Sequence, residues 1–444
     1  MHGSGCGPAL YSSVPRAAGY NGSMLPLIAP LFALLAGVAL LLLGSGLLNT
    51  VLVLRGSAEG YSDGMLGFIM SGYFVGYFVG THLALTVITR VGHIRAFAIC
   101  AAVAASSVLL HVVFVDPWFW MLLRVITGAA LVMLYTVIES WLNGQTPAAH
   151  RGQVFAVYMV VNLIALALAQ QMLRLDEPTS FLLFAVASIL VTLSLVPVAW
   201  TRFAQPVIHE VRQMRFAELR TLAPVAVAGA LSSGLAMGAF WGLAPLYAGH
   251  IGLYSDHIAT FMSCAIIGGA LFQYPLGRFS DTRDRRRVLR MTALMATLAA
   301  LLLIVTSSAG LLVLVAMFVY GGLAFAVYPV AVAHLVDQLE AQDILAGGTA
   351  LLLVHGIGAA IGPALAGQLM SWWGAQALPL YFALAQGLLA LFAWRHERAS
   401  GVVEVAPQPS PFVPMVRTTP TALEMLPEEE DEAAEEAKGE ASQL

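Results

Sequence analysis

Residues 277–290 read GRFSDTRDRRRVLR. Six arginines and two aspartates fall within these fourteen residues, between long runs of alanine, leucine, valine and glycine. The 444-residue chain as a whole is 59% hydrophobic and 10% charged, with a mean hydropathy of +0.82. Soluble domains are about 25% charged, so a water-soluble fold is excluded. A charge cluster this dense belongs in a loop at a membrane face.

Apolar stretches such as 25–48 and 292–321 are long enough to cross roughly 30 Å of hydrocarbon as helices. Without water, a spanning segment must satisfy its own backbone groups, which predicts an all-α integral membrane bundle. The alternating strands of about ten residues that a β-barrel needs do not occur. Breaking the chain at charges, prolines and polar clusters gives twelve spans. Six fall near 26–54, 64–89, 94–115, 117–142, 153–173 and 180–200, and six near 222–248, 257–277, 288–307, 310–335, 344–370 and 375–394. The turn at 307–312, SSAGLL, has no charge to mark it.

The expected organisation is a disordered 1–24, a six-helix bundle over 25–200, a cytoplasmic linker at 201–221 and a second bundle over 222–396. A disordered acidic tail follows over 397–444, ending PEEEDEAAEEAKGEASQL. The first apolar run has no small-residue cleavage site and reads as a retained helix. Linker arginines among spaced apolar residues suggest a short amphipathic helix on a membrane face. With both termini cytoplasmic, the inner loops and flanks hold fifteen arginines and the outer loops two, Arg55 and Arg174. Positive charge favours the cytoplasmic side, so this orientation is predicted, in a bacterial inner membrane. The triplet YSD opens span two at 61–63 and span eight at 254–256, an offset of 193 residues. Short basic loops follow both spans, which suggests two pseudo-symmetric halves related by duplication.

The run G-R-F-S-D-T-R-D-R-R-R resembles the loop signature of the major facilitator superfamily, with Gly277, Asp281, Arg285 and Arg286 at the matching positions. Asp284 stands where that signature has a second glycine, and the first-half copy keeps Arg90, Gly92 and Arg95 but has Thr89 in place of the aspartate. RVITGAA (124–130) resembles the family's Arg-x-x-x-Gly signature through Arg124 and Gly128. GIGAAIGPALAG (356–367) resembles its Gly-Pro motif through Gly362 and Pro363, in span eleven instead of the usual span five. ESWLN…RG, RVGHIRAF and GIGAAIGPALAG together resemble the YcaD-like bacterial group. The resemblance covers roughly 25–396 and implies a transporter fold whose charged loops latch helix ends on the cytoplasmic side. Asp281, Arg285 and Arg286, with Arg90, Arg95, Glu139, Arg151, His334 and Asp337, are the expected cytoplasmic gate. Plain positive-inside topology is the competing explanation of the arginines, although it does not require Asp281.

Arg124 lies roughly 10 Å into its span at 1.5 Å per residue. A mid-helix arginine costs at least about 2.5–3.5 kcal/mol, so it needs a partner or a wet cavity. It is a candidate for solute or proton binding, or else a structural pair. His355 and His111 are candidate proton carriers, although a membrane histidine also serves as a bond to a neighbouring helix. Asn49 and Gln273 are candidate cavity liners, as are Tyr320 and Trp241. Gly72, Gly76 and Gly80 share one face of span two, suited equally to packing and to sliding. The three cysteines read as small packing residues.

The leading function is a secondary active transporter of a small solute, a metabolite or drug-like compound, working by alternating access. Protons are the expected coupling ion, the lipid bilayer the expected surroundings and a monomer the expected state. A non-transporting receptor or scaffold on the same fold is the alternative. No GxxxxGK[ST] or HExxH occurs, so ATP-driven transport and intramembrane zinc proteolysis have no motif here. No cofactor, metal or nucleic acid is expected.

Overall fold

The computed structural model describes residues 31–147, 150–200 and 214–400, together with Phe412, Val413, Met415 and Thr419. The expected N-terminal segment, the first part of the linker and most of the tail lie outside the described residues. Among the described residues there is no strand, and twelve helices are long and apolar enough to cross a membrane. The first six are α1 (Phe32–Ala58), α2 (Asp63–Val91), α3 (His93–Val113), α4 (Pro117–Gln145), α5 (Arg151–Leu175) and α6 (Phe181–Trp200). The second six are α7 (Pro224–His250), α8 (Ser255–Asp281), α9 (Arg285–Thr306), α10 (Leu311–Val336), α11 (Ile344–Trp373) and α12 (Ala377–Ala399).

Local chemistry fixes where these helices start. Ser62 and Asp116 accept the Met65 and Phe119 N–H groups at 3.3 and 2.8 Å, and Pro117 occupies the first turn of α4. Ser180 and Asp284 do the same for Leu182 and Arg286 at 3.0 and 2.9 Å. Each side chain satisfies a backbone donor that the helix leaves open at its start. The two YSD triplets follow turn glycines, Gly60 and Gly252, at φ +83° and +89°, a region closed to most side chains. The uncharged join at 307–312 falls between Thr306 and Leu311, with Gly310 at φ +53°. Most of the linker lies outside the described residues, but Phe216–Leu222 forms a short helix that buries Leu219.

Helices α1–α6 and α7–α12 pack as two bundles in matching ways. A Cβ on Gly76 would meet the Val125 carbonyl at 1.9 Å, and one on Gly128 the Tyr73 carbonyl at 2.0 Å, so α2 and α4 touch backbone to backbone. In the second half, a Cβ on Gly268 would meet the Phe318 carbonyl at 2.0 Å and one on Gly321 the Ala265 carbonyl at 2.3 Å, so α8 and α10 touch in the same way. Gly128 and Gly321 stand 193 residues apart, the same offset as the two triplets. Gly72, Gly76 and Gly80 all face α4 of their own bundle, which makes their series a packing surface inside that bundle.

Between the bundles, α2 lies on α11, α5 on α8 and α1 on α7. At the far end of the chain two expectations change. α12 continues past 396, and Phe412, Met415 and Thr419 lie against the bundles where composition predicted a segment in solvent.

Candidate functional site

The seam is closed at the end that carries the α1–α2 and α7–α8 turns. Cβ atoms on Gly67 and Gly367 would meet the Pro363 carbonyl at 2.3 Å and the Asp63 carbonyl at 2.5 Å, so α2 and α11 approach through their backbones. Pro363 cannot donate a backbone hydrogen bond, and the next N–H, Ala364, donates to Ser71 Oγ across the seam at 3.0 Å. The His250 imidazole pairs with Asp63 at 2.9 Å. Gln171 Nε2 donates to Ser263 Oγ at 2.6 Å, and Arg174 to Thr260 Oγ1 at 2.8 Å. These links tie α2 to α7 and α11, and α5 to α8.

Below this closure, α2, α7, α10 and α11 leave a cleft with a cavity volume of about 120 Å³. Its walls are aromatic: Tyr73, Phe74, Tyr77 and Phe78 from one bundle, and Trp241, Phe325 and Tyr328 from the other. Phe325 stands edge-on to Trp241 at 5.8 Å, and Tyr328 touches the His355 ring at 4.5 Å. His355 bonds the Ala230 carbonyl through one ring nitrogen, and its Nδ1 has no partner among the described residues. The hydroxyls of Ser233 and Tyr328 are likewise buried without a described partner. No Asp, Glu, Lys or Arg is among the described residues lining the cleft. Such walls suit a solute with flat apolar faces and a few hydrogen-bonding groups.

The opposite end holds the arginines. Arg285 Nε pairs with Asp337 Oδ2 at 2.6 Å and its Nη2 with Asp281 at 3.3 Å. Arg286 pairs with Asp284 at 3.1 Å, while Arg287 and Arg290 share Glu397 at 3.0 and 2.5 Å. These pairs join the ends of α8, α9, α10 and α12 inside the second bundle. Burial favours the neutral Asp284 acid, but hydrogen bonds from Arg286 and its charge prevail and hold the carboxyl below the ordinary range. On the first bundle, Glu139 is fully buried and accepts from the Tyr158 hydroxyl at 2.8 Å. Its other oxygen accepts from the Thr419 hydroxyl and, at 3.3 Å, the Thr419 N–H.

The family model described as "Major Facilitator Superfamily" matches this sequence twice, over residues 34–253 and 226–426. The chain belongs to the major facilitator superfamily. Relatives within the superfamily include the MFS-type transporter YcaD of Escherichia fergusonii, 27% identical over 371 residues, which cover 83% of this chain and 96% of the relative. An MFS-type transporter of an Enterobacter species, Ent638_1421, is 30% identical over 344 residues, 77% of this chain and 89% of the relative. The nucleoside transporter NupG has the same fold, with a TM-score of 0.69 at 15% identity over 82% of this chain and 98% of that one. A D-xylose-proton symporter does too, with a TM-score of 0.61 at 17% identity over 84% and 97%. The superfamily assignment makes the chain a secondary transporter and not an enzyme.

The superfamily signatures divide between the two ends of the seam. Asp281, Arg285, Arg286, Asp337 and His334 come together, with His334 buried within the electrostatic reach of Arg286, Asp284 and Arg285. Arg90 and Arg95 are exposed, Arg151 is half-buried, and none of the three has an ion pair among the described residues. Arg124 is 1% exposed, donates to Asn49 Oδ1 at 2.7 Å and lies over the Tyr73 ring at 4.6 Å. Neither Arg124 nor Asn49 is among the residues lining the cleft, and Arg124 contacts the lining residue Tyr73. His111 packs on Trp120 inside the first bundle and bonds the Ser107 carbonyl at 2.6 Å, away from the seam. Gln273 is buried in α8 with no described partner and also stands apart from the cleft. His355 and Trp241 alone among the expected pathway groups are cleft residues. Tyr73, Tyr77, Tyr328 and Glu397 carry no motif, and Asp63 stands in the YSD triplet without its pairing to His250 being legible there. Gly362 packs against Leu235 of its own bundle, while Pro363 faces Gly67 across the seam.

Proposed function

We propose that this transporter moves an uncharged, amphipathic small solute with aromatic or apolar faces by alternating access through the seam cleft, driven by protons. The arginine-rich end and both termini face the cytoplasm of a bacterial cell, in agreement with the fifteen-to-two division of arginines. Each chain works as a monomer, since one chain contributes the whole cleft wall described. The observation that carries this reading is an aromatic cleft, without charged residues among its described lining, at a seam that helix packing closes on the Asp63–His250 side. His355 is the proposed proton carrier: it lines the cleft and contacts Tyr328, and its Nδ1 is left open on the described side. Arg124 is read as a support that orients Tyr73 and Asn49.

A thermal-shift screen of metabolites on purified protein tests the site. Binders should lose their shift in Trp241→Ala and keep most of it in Arg124→Gln. Binders abolished by Arg124→Gln and untouched by Trp241→Ala would place the site elsewhere. For a confirmed binder, uptake into proteoliposomes should follow an imposed pH gradient in the wild type and lose that dependence in His355→Gln. Uptake indifferent to the gradient in both would remove the protons.

A further inference from the structure

Beyond α12, Phe412, Met415 and Thr419 lie at the arginine-rich end and touch both bundles there. The Phe412 ring covers Gly277, where a Cβ would come within 2.1 Å of it, and the Phe412 N–H bonds the Asp281 carboxylate. Met415 is 5% exposed and forms part of the cleft wall. Thr419 is fully buried and gives both its hydroxyl and its N–H to Glu139, itself fully buried on the opposite bundle.

We propose that Phe412, Met415 and Thr419 form an intramolecular plug, a self-ligand that seals the cleft at the arginine-rich end and must leave before solute can pass that way. This rests on reading the cleft as the solute site. The plug uses three anchors of different chemistry: a ring on a signature glycine, a thioether in the cleft mouth and a hydroxyl on a buried carboxylate. Gly277 and Asp281 are residues of the superfamily loop signature, so the tail occupies the very groups expected to work the gate. Phe412 holds α8 of the second bundle and Thr419 holds α4 of the first. Seven residues reach at most about 25 Å, so the two bundles cannot part further at this end while both anchors hold. Charge adds a longer-range pull: nine acidic residues and one lysine follow Thr419, and Arg90, Arg95 and Arg283 are exposed at the same end. The anchoring is non-covalent and short, which fits a closure that is released and restored.

The test needs no solute and no assumption about orientation. Ser233, buried in the cleft wall, becomes the only thiol through Ser233→Cys with all three native cysteines replaced by alanine. Maleimide labelling of the purified protein in detergent then reports access to the cleft. Ending the chain after Ser400 should raise the labelling rate at least about tenfold, and Thr419→Asp, which sets a second carboxylate against Glu139, should raise it severalfold in the full chain. A synthetic peptide of residues 408–424 should return the shortened chain to the slow rate. Salt at about 0.5 M should speed labelling of the full chain and leave the shortened one unchanged. Equal rates in the full, shortened and Thr419→Asp proteins would overturn the plug. If the shortened chain does not fold, the rate of the Thr419→Asp protein against that of the full chain decides. A protein that carries no solute yet still shows these rates would contradict the transport reading and leave the plug standing.

Discussion

The two ends of the seam are shut by different materials. Where Asp63 meets His250, the closure is main chain on main chain, with Gly67 and Gly367 letting α2 and α11 touch. At the arginine-rich end, the described link between the bundles includes a separate stretch of chain, anchored by Phe412 and Thr419. Main-chain packing opens only if whole helices tilt, because interiors this close have no slack. A strap held by a ring and a hydroxyl opens by leaving. The arginine-rich end is thus the one whose release begins with the strap leaving, after which the bundles can part.

The strongest challenge to this contrast is to separate packing within a bundle from packing on the seam. Gly76→Leu drives a side chain into the Val125 carbonyl and should abolish folded, monodisperse protein altogether, as judged by size-exclusion chromatography. Arg285→Ala should cost about 1.5–3 kcal/mol by removing a buried guanidinium from the partly exposed Asp337 and Asp281 carboxylates, read as a drop in thermal unfolding temperature. Gly67→Ala places one methyl against the Pro363 carbonyl and should cost about 1–3 kcal/mol, but only in the closed state. It should therefore speed labelling of a thiol at Ser71 more than it lowers the unfolding temperature. Asp63→Asn removes a partly exposed pair worth about 0–1 kcal/mol, and should ease the same labelling only slightly.

A pH titration probes the charge cluster of the second bundle. The Asp284 carboxyl is depressed in the folded protein by Arg286. Its contribution is present above the unfolded-chain value of about 3.9 and is lost as pH falls through the lower folded one. Thermal stability should therefore drop below about pH 4, and Asp284→Asn should flatten that part of the profile.

Much of the fold was legible because hydropathy and arginine bias are properties of single helices. The twelve spans need only length and apolar content, and the second-half charge cluster needs only Gly277, Asp281 and Arg285 in their loop. The seam was not legible, because it depends on which helices face one another. Gly67 and Gly76 look alike in sequence, yet one meets the other bundle and the other meets its own. Arg124 and His111 were singled out for the cost of burying polar groups, and α1, α3 and α4 meet that cost inside the first bundle, through Asn49 and Ser107. The cleft aromatics carry no motif, since a tyrosine in an apolar helix marks packing as readily as a site. In the tail, the average composition hides the residues that pack. The local signal was the apolar island Phe412-Val413-Pro414-Met415 within a polar stretch.

The most direct test is a pair of distance measurements by double electron–electron resonance. One pair of spin labels, at Arg90 and Thr282, spans the arginine-rich end; the other, at Asp176 and Tyr254, spans the opposite end. In the full chain both distances should be short and narrowly distributed. Ending the chain after Ser400 should lengthen and broaden the first and leave the second in place, and a bound solute should then populate states in which one distance grows as the other shrinks. Two distances that stay fixed in the shortened chain, with and without solute, would contradict a seam that opens at alternate ends.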